Sequence, residues 1–227
     1  MPPFVRASVG LHLNLSEGRP LSPALARRWP QCPPLPRLIA QAQLRLLPPA
    51  AWQDEPDAQW AAFQQHAGRA PQHLDGHQHV HHLPQLRRWV LAQAARHPAL
   101  RVRGTGAVAG PGFAPSFAIK RALIENTGGR TLQAALDARG AAQNTRLLGA
   151  YDFAQTEYRR LMQAWLAQVP PGGALLFCHP GDTAPPGAAD AIAAARVRER
   201  SYLASAAFAQ DLQAAGVQLT AGRPSAG

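Results

Sequence analysis

The fold is decided by a ten-residue stretch, His73-Leu74-Asp75-Gly76-His77-Gln78-His79-Val80-His81-His82. It holds five of the chain's nine histidines beside a carboxylate. Imidazole is a common ligand for divalent transition metals, and a nearby carboxylate can bind the metal or orient a histidine. Histidines share a face in a strand and in a helix alike, but Pro71, Gly76 and Pro84 argue against a continuous helix. We therefore predict a short strand that ends near Asp75, followed by a loop with the other histidines; a surface run that binds metal only adventitiously is the alternative.

A second strand is predicted earlier in the chain, over residues 9–15. Its apolar residues alternate with Gly10, His12 and Asn14, which is the period of a strand. One face is thus apolar and suited to pack beneath helices, and the other presents His12 and Asn14. A lone inward histidine is more often a satisfied core residue than a ligand, so His12 gains weight only if other ligands converge on it.

A third histidine follows a buried strand near the end of the chain. Residues 174–178 form a continuous apolar run between turn signals, which is typical of a strand buried on both faces of an α/β sheet, and His179 comes next. In barrel-like α/β folds, catalytic groups lie at the carboxyl ends of strands. Because His12, His77 and His179 all accompany predicted strands, the pattern favours a metal hydrolase.

The remaining pattern is mostly helical and completes an α/β prediction. A strand over 100–103 carries Arg101 and Arg103 on one face, where either would meet an anionic or hydroxyl-rich ligand or else lie in solvent. Residues 104–115 are predicted to be a long loop. A helix begins near Asp54 as its cap and stops at Gly68. The other expected elements are helices over residues 37–47, 84–97, 117–125, 131–139, 156–168 and 201–215 and a last strand over 217–220.

Composition restricts the class of protein. The 227 residues suit one domain, 46% of them are hydrophobic, and the net charge is +10. The basic residues are scattered arginines with a single lysine, whereas a nucleic-acid binder gathers them in a stripe with aromatics, so that class is disfavoured. No run of about 18 apolar residues predicts a membrane span. Two isolated cysteines fit a reducing cytoplasm.

Three motifs together resemble a known family. Residues 10–18 (Gly-Leu-His-Leu-Asn-Leu-Ser-Glu-Gly), 73–81 and 178–182 (Cys-His-Pro-Gly-Asp) are similar in order and spacing to those of the YdjC-like carbohydrate deacetylases, including the diacetylchitooligosaccharide deacetylases and hopanoid-biosynthesis-associated relatives. The resemblance covers nearly the whole chain. It implies one domain over residues 1–227 with a distorted (β/α) barrel of the glycoside hydrolase/deacetylase type.

The resemblance also implies a site. A divalent metal ion, usually magnesium with zinc as the alternative, would be held by His12, His77 and an aspartate. His179 would protonate the leaving amine, and Asp75 would lie in the site as a catalytic, second-sphere or substrate-facing group. Asn14, His79 and Arg101 are the expected substrate contacts. The expected partners are an N-acetylated sugar or glycolipid and a second copy in a homodimer, without nucleic acid.

One departure from the family pattern qualifies this expectation. Family members open with a strand that ends in Asp-Asp-Phe-Gly, which supplies the third ligand and the general base, and this sequence has no Asp-Asp pair. The barrel would then lack its first βα units, and turnover by the chain as written would be poor. A catalytically inactive sugar-binding remnant of the same fold is therefore the alternative function.

Overall fold

The computed structural model describes residues 8–110, 115–183 and 190–220, and the chain divides into two compact units. The first unit comprises the described parts of Met1–Ala107 and Leu123–Asn144. The second comprises the described parts of Val108–Ala122 and Thr145–Gly227. Four residues of the predicted loop over 104–115, residues 111–114, lie outside the described parts.

The first unit is built on a parallel sheet with the strand order β1 (Leu11–Leu13), β2 (His73–Gly76) and β3 (Arg101–Val102). The three predicted strands are confirmed, although β1 and β3 are shorter than expected. The alternation in the first strand has the predicted effect, since Leu11 and Leu13 are buried and His12 is exposed. Val9, however, is 43% exposed and lies outside the strand.

Helices cover this sheet and bury two apolar clusters. One cluster packs Leu11 and Leu74 against Trp60, Trp89 and Leu136. The other contains Leu13, Leu15, Leu25, Leu38, Leu47, Val80, Leu83 and Leu86. The helices of this part are α1 (Pro23–Arg28), α2 (Leu35–Gln43), α3 (Glu55–Ala67), α4 (Leu86–Arg96) and α6 (Arg130–Asp137), with α5 (Pro115–Ile124) preceding α6.

The boundaries of α3 test two of the helix signals. Gly68 ends the helix with a φ of 65°, as predicted, because glycine reaches the left-handed region without a Cβ clash. The capping role predicted for Asp54 is wrong, because its side chain makes no capping hydrogen bond. A π-helical turn, Ala50–Asp54, leads directly into α3 and gives Asp54 helical torsion angles.

The histidines after β2 lie in a short 3₁₀ segment, His77–His82, rather than in an open loop. The segment is not regular, since Gln78 and His79 have φ values of 50° and 63°. Such angles are uncommon for residues with a Cβ and persist where surrounding contacts fix the backbone. The segment is anchored by His81 and His82, whose side chains are buried and hydrogen-bonded.

The second unit carries a smaller parallel sheet of β4 (Leu147–Leu148) and β5 (Leu175–Leu176). The helices of this unit that follow β4 are α7 (Tyr158–Leu166), α8 (Ala193–Leu203) and α9 (Ala206–Ala214). They pack against one another around Trp165, Met162 and Tyr202. The prediction of a strand buried on both faces over 174–178 is wrong. Leu175 is 36% exposed, and the described strand pairs with β4 alone.

The carboxyl-terminal predictions also need correction. The helix expected over 201–215 is two helices, which are separated at Ser205, where ψ is 158°. No strand is present over residues 217–220, which the structure describes as irregular. An extended strand needs a neighbouring strand for its backbone hydrogen bonds, and in this segment the Val217 amide instead donates to Leu212, closing the end of α9.

The architecture is therefore an α/β fold of helices and short parallel strands. Parallel pairing is typical of strands joined by helical crossovers, which is how β1, β2 and β3 are connected. Within the described parts of the chain, no helix is long and apolar enough to cross a membrane.

Candidate functional site

The register of the first sheet brings two of the predicted site residues together. His12 on β1 lies opposite Asp75 on β2, and Nδ1 of His12 is 2.5 Å from Oδ1 of Asp75. Glycine permits this close pairing, because a Cβ placed on Gly10 would lie 2.3 Å from the carbonyl oxygen of His73. The pairing of His12 with Asp75 therefore depends on the close approach of the two backbones at Gly10 and His73.

Asp75 is also bound by a cation. Its Oδ2 accepts from the guanidinium of Arg103, which follows β3, and both side chains are largely buried. Burial by itself would raise the pKa of Asp75, but the hydrogen bond from His12 and the charge of Arg103 hold that pKa below its usual value. Asp75 is thus an ionised carboxylate between an imidazole and a guanidinium.

His77 approaches the same place from the residue after β2. Its ring centroid is 5.6 Å from that of His12, and the two rings are nearly perpendicular. Nε2 of His77 is buried without a hydrogen bond, and it lies 3.1 Å from Oε1 of Glu17, in an orientation that makes no hydrogen bond. The structure therefore brings His12, Asp75 and His77 together, with the exposed carboxylate of Glu17 beside them.

Asn14 orders the loop that carries Glu17. Its Oδ1 accepts from the amides of Ser16 and Glu17 at 3.1 and 3.2 Å, and its Nδ2 donates to the Glu17 carbonyl at 3.0 Å. This is an Asx-type arrangement, in which a side chain stabilises its own turn. A substrate contact for Asn14 stays a prediction, and its observed contacts place Glu17.

The other two predicted substrate contacts are His79 and Arg101. His79 is 8% exposed, and its ring stacks on that of His82 with a centroid distance of 6.3 Å. Arg101 lies on β3 opposite His73, and partial burial lowers its pKa. A substrate contact for His79 or Arg101 stays a prediction.

The donor set partly fits a divalent metal ion. Because Asp75 engages Nδ1 of His12, Nε2 is the nitrogen left for a ligand, as is usual for a histidine supported by a carboxylate. Nε2 of His77 is also uncommitted. Yet no group of three or more His, Cys, Asp or Glu side chains in the described ranges is arranged to hold a metal. The residues thus fit the two-imidazole part of a site.

Two further histidines of the segment are buried as neutral groups. Nε2 of His81 donates to the Arg103 carbonyl at 3.0 Å, while His82 lies between the hydroxyls of Thr105 and Thr127, 2.9 and 3.0 Å away. Burial lowers the pKa of His81 to about 4 and the pKa of His82 well below its ordinary value. These side chains tie the 3₁₀ segment to its neighbours.

Burial of His81 predicts an acid-sensitive fold. The pKa of His81 is 6.5 in the unfolded chain and about 4 in the folded one. The free energy of unfolding therefore falls as the pH drops through this window. The loss from His81 is about 3 kcal/mol between pH 7 and 4. We expect His81→Gln, whose amide can still donate to Arg103, to flatten the pH dependence of the free energy of unfolding, measured with urea.

A matched variant controls for the loss of a histidine. His66 on α3 is exposed, so His66→Gln should leave the same pH profile almost unchanged. An equal flattening in both variants would contradict the assignment of the acid sensitivity to His81.

His179 lies in the second unit, three residues after β5. Its backbone amide donates to Oε2 of Glu199, a carboxylate on α8 that is completely buried. The rings of Phe153 and Phe177 contact its imidazole edge-on, at centroid distances of 5.2 and 5.5 Å. His179 is thus held between a buried anion and two aromatic rings.

A cleft of about 630 Å³ adjoins this histidine through Phe153. Its wall combines rings and cations, including Phe117, Lys120, Tyr151 and Arg198. Nζ of Lys120 donates to the Tyr151 carbonyl at 3.1 Å and lies 4.9 Å from the centre of the Phe153 ring. Burial lowers the pKa of Lys120, against the raising effect of Asp152.

The family is decided by a comparison of the whole chain. The family model described as YdjC-like protein matches residues 2–214. The chain belongs to this family. The YdjC-like assignment covers both units of the structure and all three motifs recognised in the sequence.

Curated relatives of this YdjC-like chain match it over a shorter region. A human protein named carbohydrate deacetylase is 42% identical over 81 residues, which are 33% of this chain and 25% of the human protein. The mouse protein of the same name is 40% identical over 83 residues, which are 33% of this chain and 26% of the mouse protein. The match thus spans about a quarter of each curated relative.

A solved structure shares the fold. The YdjC-like chain resembles the crystal structure of a putative cellobiose-phosphate cleavage protein from Enterococcus faecalis V583 with a TM-score of 0.63 and 20% sequence identity. The alignment covers 94% of this chain and 76% of that one. At this identity the likeness shows the fold alone.

Sequence reasoning missed two carboxylates near the predicted histidines. Glu17 lies in the first motif, three residues after Asn14, and that position was the signal that could have found it. Glu199 lies between Arg198 and Arg200 in a run that is typical of a solvent-exposed helix face. No local pattern marks it as buried, because its partners come from Tyr151 and His179, far away in the sequence.

Proposed function

We propose that this YdjC-like chain is a metal-dependent hydrolase that removes the acetyl group from an N-acetylated carbohydrate or a related glycoconjugate. The observation that carries the proposal is the pairing of His12 with Asp75, 2.5 Å apart, next to the uncommitted Nε2 of His77. Membership of the family and the names of the human and mouse relatives support the same chemistry. A distorted (β/α) barrel as the full architecture is part of the proposal.

The proposed reaction explains why each type of residue is needed. An amide is a poor electrophile and its amine a poor leaving group, so hydrolysis requires activation of the carbonyl, a deprotonated water and a proton donor. A divalent metal ion, magnesium or zinc, supplies polarisation of the carbonyl and acidification of water when bound. His12 and His77 would hold that ion through their Nε2 atoms.

Each of the other residues has its own role in the proposal. Asp75 is best suited to orient His12, because its pKa is lowered and it already accepts bonds from His12 and Arg103. His179 is assigned the proton that the departing amine needs. Asn14, His79 and Arg101 remain predicted substrate contacts, and a cytoplasmic location, a homodimer and a hopanoid-linked substrate stay predictions.

A sugar-binding protein without turnover is the second candidate. It is favoured by one observation, that the described residues assemble two imidazoles but no third metal ligand. A cleft with aromatic walls beside His179 would serve a sugar-binding protein as well as a hydrolase, since rings pack against the apolar face of a sugar.

Acetate release separates the two candidates. Incubated with di-N-acetylchitobiose and Mg²⁺ or Zn²⁺, the chain should release acetate, detected by a coupled assay. The release should stop when EDTA removes the metal and return when the metal is restored. Saturable binding of the sugar by calorimetry without acetate at any metal concentration would instead support the sugar-binding candidate.

A further inference from the structure

Glu199 is a buried carboxylate that the proposed reaction has not used. It lies on α8 and has no exposed surface. Burying an ionised carboxylate costs free energy unless donors replace its lost water. The hydrogen-bond partners of Glu199 therefore indicate the role of this buried charge.

Those partners converge on His179. The backbone amide of His179 donates to Oε2, and the hydroxyl of Tyr151 donates to Oε1 at 2.7 Å. Nδ1 of His179 lies 3.8 Å from Oε1, beyond hydrogen-bond distance but well within the range of a strong charge interaction. This Nδ1 is buried and has no hydrogen bond.

Glu199 is the negatively charged group next to the imidazole of His179. Burial alone would raise the pKa of Glu199, but His179 and the Tyr151 hydroxyl hold it below its usual value. Burial and Glu199 raise the pKa of Tyr151, and they raise that of Cys178 to about 11, so both groups are neutral near pH 7. Arg196 reaches the His179 carbonyl at 3.5 Å and is paired with Asp190.

We infer that Glu199, held by Tyr151, is a positioning residue for His179. It fixes the backbone of residue 179 through Oε2 and places a negative charge 3.8 Å from Nδ1 through Oε1. A histidine that must deliver a proton to a leaving amine needs both effects, since it has to be oriented and to carry a proton. The inference rests on the proposed role of His179.

A second buried carboxylate provides a matched control. Asp211 on α9 accepts a hydrogen bond from the hydroxyl of Tyr202 at 2.8 Å and is bound by Arg159 and Gln163. It resembles Glu199 in burial and in its tyrosine partner. It has no described contact with His179, so a purely structural effect of losing a buried carboxylate should appear in Asp211→Asn as well.

The test follows the ring of His179 by NMR in the full chain. In Glu199→Gln the measured midpoint of the ring titration should move to lower pH, because the variant removes the negative charge 3.8 Å from Nδ1. In Tyr151→Phe the midpoint should move to higher pH, since Oε1 loses a competing donor. Asp211→Asn should leave the midpoint in place.

The signs of these shifts decide the inference. A midpoint that does not move in Glu199→Gln, or that moves the same way in Tyr151→Phe, would overturn it. If Glu199→Gln does not fold, the upward shift in Tyr151→Phe is still required. The alkaline limb of the pH profile of acetate release should follow the NMR midpoints. If no variant and not even the parent chain releases acetate, the proposed function fails, while the ring titration still tests the role of Glu199.

Discussion

Asp75→Ala should lower the free energy of unfolding by about 3–5 kcal/mol, because it removes the carboxylate that compensates a buried guanidinium. Arg103 follows β3 and its side chain is only 14% exposed, so its charge is held largely away from water. The same change takes the hydrogen-bond acceptor from His12. The loss should be measured by urea unfolding at pH 7.

The effect should depend on pH with a definite sign. The pKa of Asp75 is lowered in the folded protein, so its contribution is present above the ordinary aspartate pKa of about 3.9 and is lost as the pH falls through the lower, folded value. Asp182→Ala is the control, since its ion pair with Arg200 is exposed and should be worth about 1 kcal/mol or less. Equal losses in both variants would show that the Asp75 pair contributes no more than a surface pair.

His12→Ala should weaken the binding of Zn²⁺ by more than about 100-fold. Loss of a group that hydrogen-bonds to a metal-binding histidine lowers the affinity for the metal roughly 10–100-fold, and removal of the histidine itself lowers it further. Asp75→Asn should fall within that smaller range, because it leaves both imidazoles but removes the carboxylate that orients His12. Calorimetry at pH 7 measures both constants without depending on turnover.

Two controls make the metal prediction specific. His66→Ala removes an exposed histidine of the same unit and should leave the affinity unchanged. Glu17→Gln tests the carboxylate 3.1 Å from Nε2 of His77, which would become a ligand after a small rotation of an exposed side chain. Unaltered zinc affinity in His12→Ala would remove His12 from the proposed ligands.

The first sheet was predictable because its strands have a strong and simple pattern. Leu11 and Leu13 alternate with His12 on a half-buried strand, and this period appears directly in the sequence. The pairing of His12 with Asp75 is a different matter. Periodicity sets which side chains share a face, whereas only the register between strands decides that these two residues lie opposite each other.

The second unit was predicted less well for physical reasons. β4 has two residues, too few for any period to show, and it was missed. The apolar run after Gly173 predicts burial, yet Leu175 lies partly in solvent, because burial depends on which elements cover the strand. The helix break at Ser205 lies within an alanine-rich stretch, residues 204–209, whose local preference for helix is continuous. In each case tertiary contacts outweigh local preference.

The distance in sequence between His12 and Asp75 has a consequence for how the site forms. The two residues are 63 positions apart and meet only when β1 and β2 pair, so closing this loop carries an entropic cost before any contact repays it. A partly folded chain in which these strands are still separate has the ligands but no site. A metal that needs both imidazoles would then bind only molecules in which β1 and β2 are paired. The amount of metal bound would measure the fraction of correctly assembled molecules in a sample.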